Sequence, residues 1–451
     1  MNQQPGSPTA DAPWPNQTYA WYVVIILFFG AVVSFLDRQI IALLVADIKA
    51  DLGLSDFEIG MLQGPPFGIF YALMSVPIAL LADSRSRRNI IIAGVSFWTM
   101  ATAACGLAGN FWHLFLARIG VGVGEATLGP SAYSIISDYF PKNKLSMAMA
   151  VFTMGNLMGV GLAMVLGGAV IAVLREMGTI TLGPLGEMAP WHVAFFVAAV
   201  PGVLLALLML TVREPIRRGR TATATSGGKQ QMAEFGRFVA ANRGTFFTLF
   251  ASYSLLVLVA YGNFAWMVAF FSRSFGWDAP QSGYVYGMIA LTFGTSGAFF
   301  GGWFASWLDR RGYRDGPFRA TLICTIPAAP IAACIFLVAP DGWWAAGFLA
   351  AWQFLGGVPS GLSGAAMMSI TPNQMRAKIS SFYLFVSNIV GISLGATSVG
   401  FLTTHVFHDD SMLNVSLAVV NCVFPPLVVL LMWVGLKKYR KSLQDAELAV
   451  A

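Results

Sequence analysis

Four charged residues lie deep inside apolar stretches of the sequence, where they could do chemistry. Asp37 and Arg38 are adjacent in one stretch, and Arg118 and Glu125 are seven positions apart in another. Seven residues make two helical turns, so Arg118 and Glu125 share one helix face. A charge at bilayer depth costs about 2.5–3.5 kcal/mol on insertion scales and usually has a function. The cluster predicts a substrate-binding and proton-coupling site; two buried salt bridges that only fix helix packing are the alternative.

The apolar stretches around these charges dominate the chain. Hydrophobic residues make up 57% of the 451 residues and charged residues 11%, whereas soluble domains carry about 25% charged residues. One membrane span takes roughly 20 apolar residues, so twelve spans would leave room only for short loops. The composition predicts an all-α membrane protein with twelve transmembrane helices in two pseudo-symmetric six-helix bundles.

The apolar segments also predict the domain organisation. Spans are predicted near 19–46, 57–82, 89–109, 112–140, 145–174, 191–212, 244–272, 280–308, 317–338, 343–371, 376–404 and 412–436. The predicted parts are a disordered cytoplasmic tail at 1–18, a six-helix bundle at 19–212, a cytoplasmic linker at 213–243, a second bundle at 244–436 and a cytoplasmic tail at 437–451.

The distribution of basic residues supports this layout. With a cytoplasmic N-terminus, 22 of the 27 Lys and Arg residues fall in cytoplasmic segments, three fall in outside loops and two fall inside helices. Such a split follows the positive-inside rule. The net charge of +6 therefore reflects membrane topology, and the sequence predicts no nucleic-acid partner.

An internal repeat relates the two predicted bundles. The turn ALLADSRSRR contains Asp83, and ASWLDRRGYR contains Asp309. Asn156 and Asn388 begin matching glycine-rich stretches at an offset of 232 residues. Similar halves around a linker are typical of transporters that bind substrate at the interface between halves.

The acidic and basic turns on the cytoplasmic side predict a gate of ion pairs, although charges that only set topology are an alternative. Its predicted members are Asp83, Arg85, Arg87, Arg88, Asp138, Asp309 and Arg310.

The second half has no predicted charge at depth and offers aromatic and neutral polar residues instead. Most of these must pack in the core or face lipid, but some should line a cavity. The candidates for cavity lining, taken from both halves, are Tyr133, Asn156, Tyr261, Asn263, Trp266, Trp352, Tyr383 and Asn388. A cavity charged on one wall and apolar on the other suits an amphipathic substrate.

Other chemistry is not indicated. The four cysteines lie in apolar runs without a CxxC pair, and the sequence contains no HExxH motif or nucleophile elbow. The sequence therefore predicts no metal site, no cofactor and no enzyme. Pro130 should bend the helix just beyond Glu125, because proline removes a backbone donor.

The motifs resemble those of the major facilitator superfamily. The turn from Asp83 to Arg88, its copy from Asp309 and Arg118-x-x-x-Gly122 carry this resemblance. The string RIGVGVGEATLGPSAYSIISDYFP and FLDRQ around Asp37 resemble the Spinster-like group, which handles sphingosine 1-phosphate and lysophospholipids. The resemblance implies that Asp37, Arg38, Arg118 and Glu125 form the polar site, with one acid carrying a proton. It also implies that Asp83, Arg87 and Asp138 form a charge relay on the cytoplasmic side.

The sequence departs from the superfamily pattern at several positions. Ala79 and Ala305 stand where the turn usually opens with glycine, Ser86 stands for a usual glycine, and Leu162 follows Gly161 where antiporters have proline. Antiport, symport and facilitated diffusion therefore stay open. The main expectation is a monomeric, proton-coupled transporter of an amphipathic lipid in the plasma membrane, the inner membrane of a bacterium. A carrier of a soluble organic anion or drug, and a non-transporting receptor, are the alternatives.

The topology can be tested with single cysteines introduced at 176–188 and at 220–230. An impermeant thiol reagent added outside should label the first loop and leave the second unlabelled, because only the first is predicted to lie outside. Outside labelling of both loops would exclude the twelve-span layout.

Overall fold

A computed structural model describes residues 14–181, 186–218 and 228–448, and these residues are almost all helical. The first-half helices, before the linker, are α1 (Gln17–Leu43), α2 (Val45–Leu52), α3 (Asp56–Gln63), α4 (Pro65–Ser84), α5 (Arg87–Cys105), α6 (Phe111–Glu125), α7 (Leu128–Tyr139), α8 (Lys142–Met177) and α9 (Pro190–Thr211). They are followed by α10 (Gly228–Ala241). The second-half helices are α11 (Arg243–Phe275), α12 (Ala279–Ile289), α13 (Thr295–Arg310), α14 (Gly316–Thr325), α15 (Ala328–Ala333), α16 (Gly342–Ile370), α17 (Arg376–Ser387), α18 (Leu394–Phe401) and α19 (Leu413–Leu448).

Nine helical segments of the described chain are long and apolar enough to cross a membrane. Three more helical segments pack beside them: α5, α6 together with α7, and α16. α5 packs against α6 and α9, and α16 packs against α13 and α14. The protein is thus a multi-pass helical membrane protein. The count of twelve spans stays a prediction.

Helix breaks in the first half follow from local sequence. Gly64 and Pro65 separate α3 from α4, and proline supplies no N–H to continue the ladder. The break between α6 and α7 falls directly after Glu125, and Pro130 lies in the first turn of α7. Proline is tolerated there because the first-turn N–H groups have no helical partner. The structure thus interrupts the helix where a bend was predicted.

Two segments that the sequence predicts as polar linker and tail contain helix in the structure. The predicted polar linker contains α10, whose Phe235 and Phe238 pack against the core of the second half. The predicted tail after 436 continues α19, and Tyr439 is buried against Phe318 with ring centroids 4.7 Å apart. In both cases a few aromatic residues anchor an otherwise polar segment, and an average of hydropathy over the segment does not reveal them.

Residues 180–181 and 187–188 pair as a short hairpin, β1 and β2. Of the predicted N-terminal tail, residues 1–13 lie outside the described part of the chain.

Four π-helical segments interrupt the second half. They lie at 290–294, 334–338, 388–393 and 402–407. The segment 290–294 packs against α8, and 388–393 packs against α4. Single π turns are often found at functional sites. Two of these irregular turns therefore lie where the two halves touch.

Glycines allow the halves to touch closely at one end of the bundle, where α3 packs on α18 and α8 packs on α12. A Cβ on Gly64 would lie 2.3 Å from the Ser393 carbonyl oxygen, and one on Gly287 would lie 2.7 Å from the Gly161 oxygen. Neither position admits a side chain without displacing backbone. Small residues at such contacts let helices approach closely.

A network of ion pairs joins the halves at the same end, which we call the sealed end. Asp56 of the first half is fully buried and binds Arg273 of the second half through two hydrogen bonds of 2.6 and 2.8 Å. Lys49 also contacts Asp56, at 2.7 Å, and reaches across to Asp410. Among the described ion pairs, those that cross between halves all belong to this network. The bidentate geometry makes the Asp56–Arg273 pair strong.

Replacing Asp56 by Asn should open the sealed end, because removing one partner of a buried ion pair costs about 3–5 kcal/mol. Spin labels at the exposed positions Ala46 and Ser274 should then give a longer distance in detergent. The control is Asp47→Asn, which breaks a half-exposed 2.8 Å pair with Arg175 inside the first half. Equal distance distributions for the two variants would contradict a latch at the sealed end.

Candidate functional site

The predicted charged cluster is assembled around one ion pair. The Arg38 Nη2 and Nε atoms lie 2.6 and 2.7 Å from the same Glu125 oxygen, which joins α1 to the end of α6. The Arg38 guanidinium also lies over the rings of Phe67 and Phe35, at 4.5 and 4.9 Å from their centroids. A guanidinium held by a carboxylate and by aromatic faces is fixed in position. The other Glu125 oxygen is buried and has no hydrogen-bond partner among the described residues.

The other two members of the cluster do not form a second ion pair of this kind. Arg118 donates from Nη1 to the backbone oxygen of Asp37 at 3.0 Å, and its Nε makes no hydrogen bond to any described residue. The Asp37 carboxylate is buried beside Trp98 and Thr102, and neither of its oxygens has a hydrogen-bond partner among the described residues. An unpaired negative charge in such a place costs several kcal/mol, whereas a protonated carboxyl carries no charge. The two acids of the cluster therefore differ, because Glu125 is paired with Arg38 whereas Asp37 forms no ion pair of this kind among the described residues.

A largely apolar cavity of about 280 Å³ lies next to the cluster, between the halves. Phe35, Leu157 and Val160 line its first-half wall, and α11, α16 and the π turn at 290–294 form much of the opposite wall. The volume is close to the lower end of small-molecule pockets, about 300–1,000 Å³. Polar atoms on its wall come from neutral residues such as Asn156, Gln353 and Ser360. The cavity suits hydrocarbon better than a hydrated ion.

A second, much smaller chamber of about 20 Å³ lies against the arginines. Arg38, Arg118 and Gln63 contribute to its wall, and Tyr261 and Phe264 line both this chamber and the apolar cavity. The two spaces are therefore neighbours that share an aromatic wall. Sequence reasoning missed Gln63, although its place at the Gly64–Pro65 helix break was visible.

The predicted cavity residues divide into two groups. Asn156, Tyr261 and Trp352 line the apolar cavity. Tyr133 is exposed, Tyr383 packs against Phe250, and Asn388 starts the π turn against α4. Asn263 and Trp266 are fully buried in the second half and are not among the described residues that line the apolar cavity.

Both of these buried residues have partners that explain their position. Asn263 exchanges 2.9 Å hydrogen bonds with Asn421, and the Trp266 indole N–H donates to the Ala396 oxygen at 2.9 Å. Their polar atoms are thus used in packing the second half, and they lie outside the cavity wall.

The predicted cytoplasmic gate is centred on Arg87. Its guanidinium is buried and contacts both Asp138 and Glu214, the latter at 2.8 Å. Arg88 caps the end of α9 by donating to the Leu210 oxygen at 2.8 Å. Arg217, which was not predicted, donates to the backbone oxygens of the 82–85 turn. These partners lie in the first-half helices and in the start of the linker, so the cluster ties α5, α7 and the chain after α9 together.

The remaining gate residues have other surroundings. Arg85 and Arg310 are exposed, and Asp83 accepts from Arg217 through its backbone oxygen. In the second half the described ion pairs join Asp315 to Arg319 and Arg440, whereas Asp309 lies against the backbone of Gly316. Asp315, which lies six residues after the predicted Asp309, is therefore the acid that pairs with arginines near this turn.

A family model described as the Major Facilitator Superfamily matches residues 27–396. The chain belongs to the Major Facilitator Superfamily. It is therefore a transporter of a small-molecule substrate and not an enzyme, as the sequence predicted.

Relatives within the superfamily differ in what they carry. The chain is 26% identical over 441 residues to an MFS-type efflux pump of Mycolicibacterium smegmatis, covering 96% of both chains. It is 26% identical to the probable L-galactonate transporter of Escherichia coli, over 70% of this chain and 68% of that protein. The sphingosine-1-phosphate transporter SPNS2 of Mus musculus is 30% identical over 43% of this chain, which spans only 33% of SPNS2.

A solved structure supports the narrower resemblance. A bacterial homologue of the human lysosomal transporter Spinster, in an inward-facing and unoccupied conformation, superposes with a TM-score of 0.76 at 25% identity. The match covers 95% of this chain and 98% of that one. The prediction of a Spinster-like member of the superfamily is confirmed.

The cluster around Arg87 should make stability depend on pH. Burial raises the pKa of Glu214, but hydrogen bonds from the Arg88 N–H, Arg87 and Ser86 outweigh burial and leave the pKa below its usual value. A lowered pKa contributes stability above the unfolded value of about 4.3, and this contribution is lost as pH falls through the folded value. Glu214→Gln should lower the unfolding midpoint by roughly 2–4 °C at pH 7 and by less near pH 4. The exposed Glu176 provides the control variant, Glu176→Gln; a pH-independent loss in Glu214→Gln would contradict the argument.

Proposed function

We propose that this chain is a secondary transporter that works by alternating access and couples protons to the movement of an amphipathic molecule with an anionic headgroup. A lysophospholipid or a sphingosine 1-phosphate-like lipid is the substrate class that fits best. The observation that carries the proposal is the contact between two unlike spaces: a chamber lined by two arginines and an apolar cavity that shares its aromatic wall.

The arrangement suits a molecule with two chemically different ends. A hydrocarbon chain is stabilised in the apolar cavity by about 25 cal/mol per Å² of surface removed from water. An anionic headgroup next to Arg118 replaces water with charge-assisted hydrogen bonds. A small soluble anion would leave the apolar wall unused. That alternative, a carrier of a soluble organic anion, is supported by the similarity to the probable L-galactonate transporter.

Proton coupling follows from the state of the two acids. Glu125 is held by Arg38, whereas Asp37 has no hydrogen-bond partner among the described residues. We assign proton binding to Asp37. Glu125 instead competes with the substrate headgroup for contact with the arginines. With Asp37 neutral, the four charges sum to +1, so an anion binds more favourably. Proton and substrate affinities are then linked reciprocally.

The conformation fits the inward-facing step of such a cycle. The sealed end carries the Asp56–Arg273 pair and lies opposite the 83–88 turn, which the basic residues predict to be cytoplasmic. The similarity to an inward-facing homologue supports the same assignment. Both termini and the linker would then be cytoplasmic, and the monomer would be the working unit.

Vesicles with an imposed pH gradient and sphingosine 1-phosphate as the probe test the coupling. Asp37→Asn should abolish gradient-driven accumulation and keep exchange, because it mimics the protonated state. Arg118→Ala should weaken binding by about tenfold or more, equivalent to about 1.4 kcal/mol. Asp47→Asn, at a surface pair, is the control. If Asp37→Asn and Glu125→Gln both keep full gradient-driven uptake, the acids are structural and the coupling proposal is wrong.

A further inference from the structure

The small chamber beside the arginines has a surplus of hydrogen-bond donors. Its polar wall consists of Arg38, Gln39, Gln63, Arg118 and Tyr261, and no carboxylate of the described residues lines it. Two guanidinium groups on a wall whose other polar groups are neutral favour a ligand atom that accepts hydrogen bonds and carries negative charge. The chamber therefore has the chemistry of an anion-binding subsite.

Two of these donors are buried without a partner. The Arg118 Nε and the Gln63 Nε2 atoms are both inaccessible and make no hydrogen bond within the described chain. An unsatisfied buried donor is costly, so such atoms are normally satisfied by a ligand or by water. Arg118 itself is only 1% exposed, and it faces the chamber that Gln63 also lines.

The other arginine is less available in this conformation. Arg38 already places two guanidinium nitrogens on Glu125 and a third contact, at 3.2 Å, on Ser34. A headgroup that enters the chamber therefore meets free donors on Arg118 and Gln63 before it can displace Glu125 from Arg38.

The position of Gln63 in the fold supports a role in binding. It is the last residue of α3, and Gly64, Pro65 and Pro66 follow it at the break before α4. Discontinuous helices commonly form substrate sites in transporters, because interrupted backbone at membrane depth must be buried in protein or line a cavity. The chamber volume of about 20 Å³ admits one group of the size of a water molecule or a headgroup oxygen.

We propose that Gln63 is a specificity-determining residue: together with Arg118 it binds an oxygen of the anionic headgroup and so distinguishes an anionic lipid from its uncharged counterpart. This inference rests on the proposed function, which supplies the headgroup. It adds that the headgroup is recognised at the break between α3 and α4. The two residues have different roles: Arg118 supplies positive charge, and Gln63 supplies a neutral hydrogen-bond donor with a fixed direction.

The experiment compares two probes that share one oleoyl chain, lysophosphatidate and monoacylglycerol. Their dissociation constants are measured with purified full-length protein in detergent, and the ratio isolates the contribution of the phosphate. The wild type should prefer lysophosphatidate. Gln63→Glu keeps the shape of the side chain but replaces the donor with a negative acceptor, so the preference should fall by about tenfold or more. Gln63→Leu removes the donor without adding charge and should show a smaller fall in the same direction.

Gln353→Glu is the matched control, because Gln353 lines the apolar cavity but not the chamber. It should weaken both probes alike and leave the ratio unchanged. Unfolding midpoints of all variants show whether any loss reflects misfolding, and Gln63→Leu keeps the test decisive if Gln63→Glu fails to fold.

The outcomes separate this inference from the proposed function. If Arg118→Ala loses the preference while both Gln63 variants keep it, Gln63 does not read the headgroup, and the transporter of anionic lipids stands. If the wild type shows no preference for lysophosphatidate, the anionic headgroup and the role of Gln63 are both wrong.

Discussion

The ion pair between Arg38 and Glu125 is the constraint on which the polar site depends. A charge at bilayer depth must be compensated, and this pair compensates one base and one acid across two helices. Arg38 is also held over Phe67, which fixes α4 beside α1. Because Glu125 is paired with Arg38, buried polar atoms of Arg118 and Asp37 are left without a hydrogen-bond partner in the described part of the chain. The cluster is electroneutral but only half paired, and the unpaired half is the part that can respond to protons and ligands.

In the second half, several buried polar side chains are neutral and are satisfied by hydrogen bonds within that half. Asn263 and Asn421 satisfy each other, and Trp266 donates to a backbone oxygen. These bonds are internal to the half, so they survive a change in its position relative to the first half. The contacts between the halves are of another kind: backbone packed against Gly64, and the ion pair between Asp56 and Arg273. Interactions within the second half and those between the halves are thus made by different residue types.

Sequence reasoning could find the charged cluster because charges stand out against an apolar background. It could not assign the pairs, since the rotation of α1 against α6 decides whether Glu125 meets Arg38 or Arg118. The Asp56–Arg273 pair was missed because charges at helix ends are ordinary and these two are far apart in sequence. Asn263 was expected on the cavity wall because hydropathy does not tell which side of a helix a neutral polar residue faces.

The π turns of the second half have a mechanical consequence. A π turn holds one residue more than an α turn, so rewinding 290–294 as α-helix would rotate the following residues by about 100° and shift them by about 1.5 Å. The turns at 290–294 and 388–393 lie against α8 and α4. Either could present a new row of side chains to the first half while the helix axis stays in place. A change between π and α turns would then exchange the side chains that line the substrate path. This local change would not require a whole helix bundle to tilt.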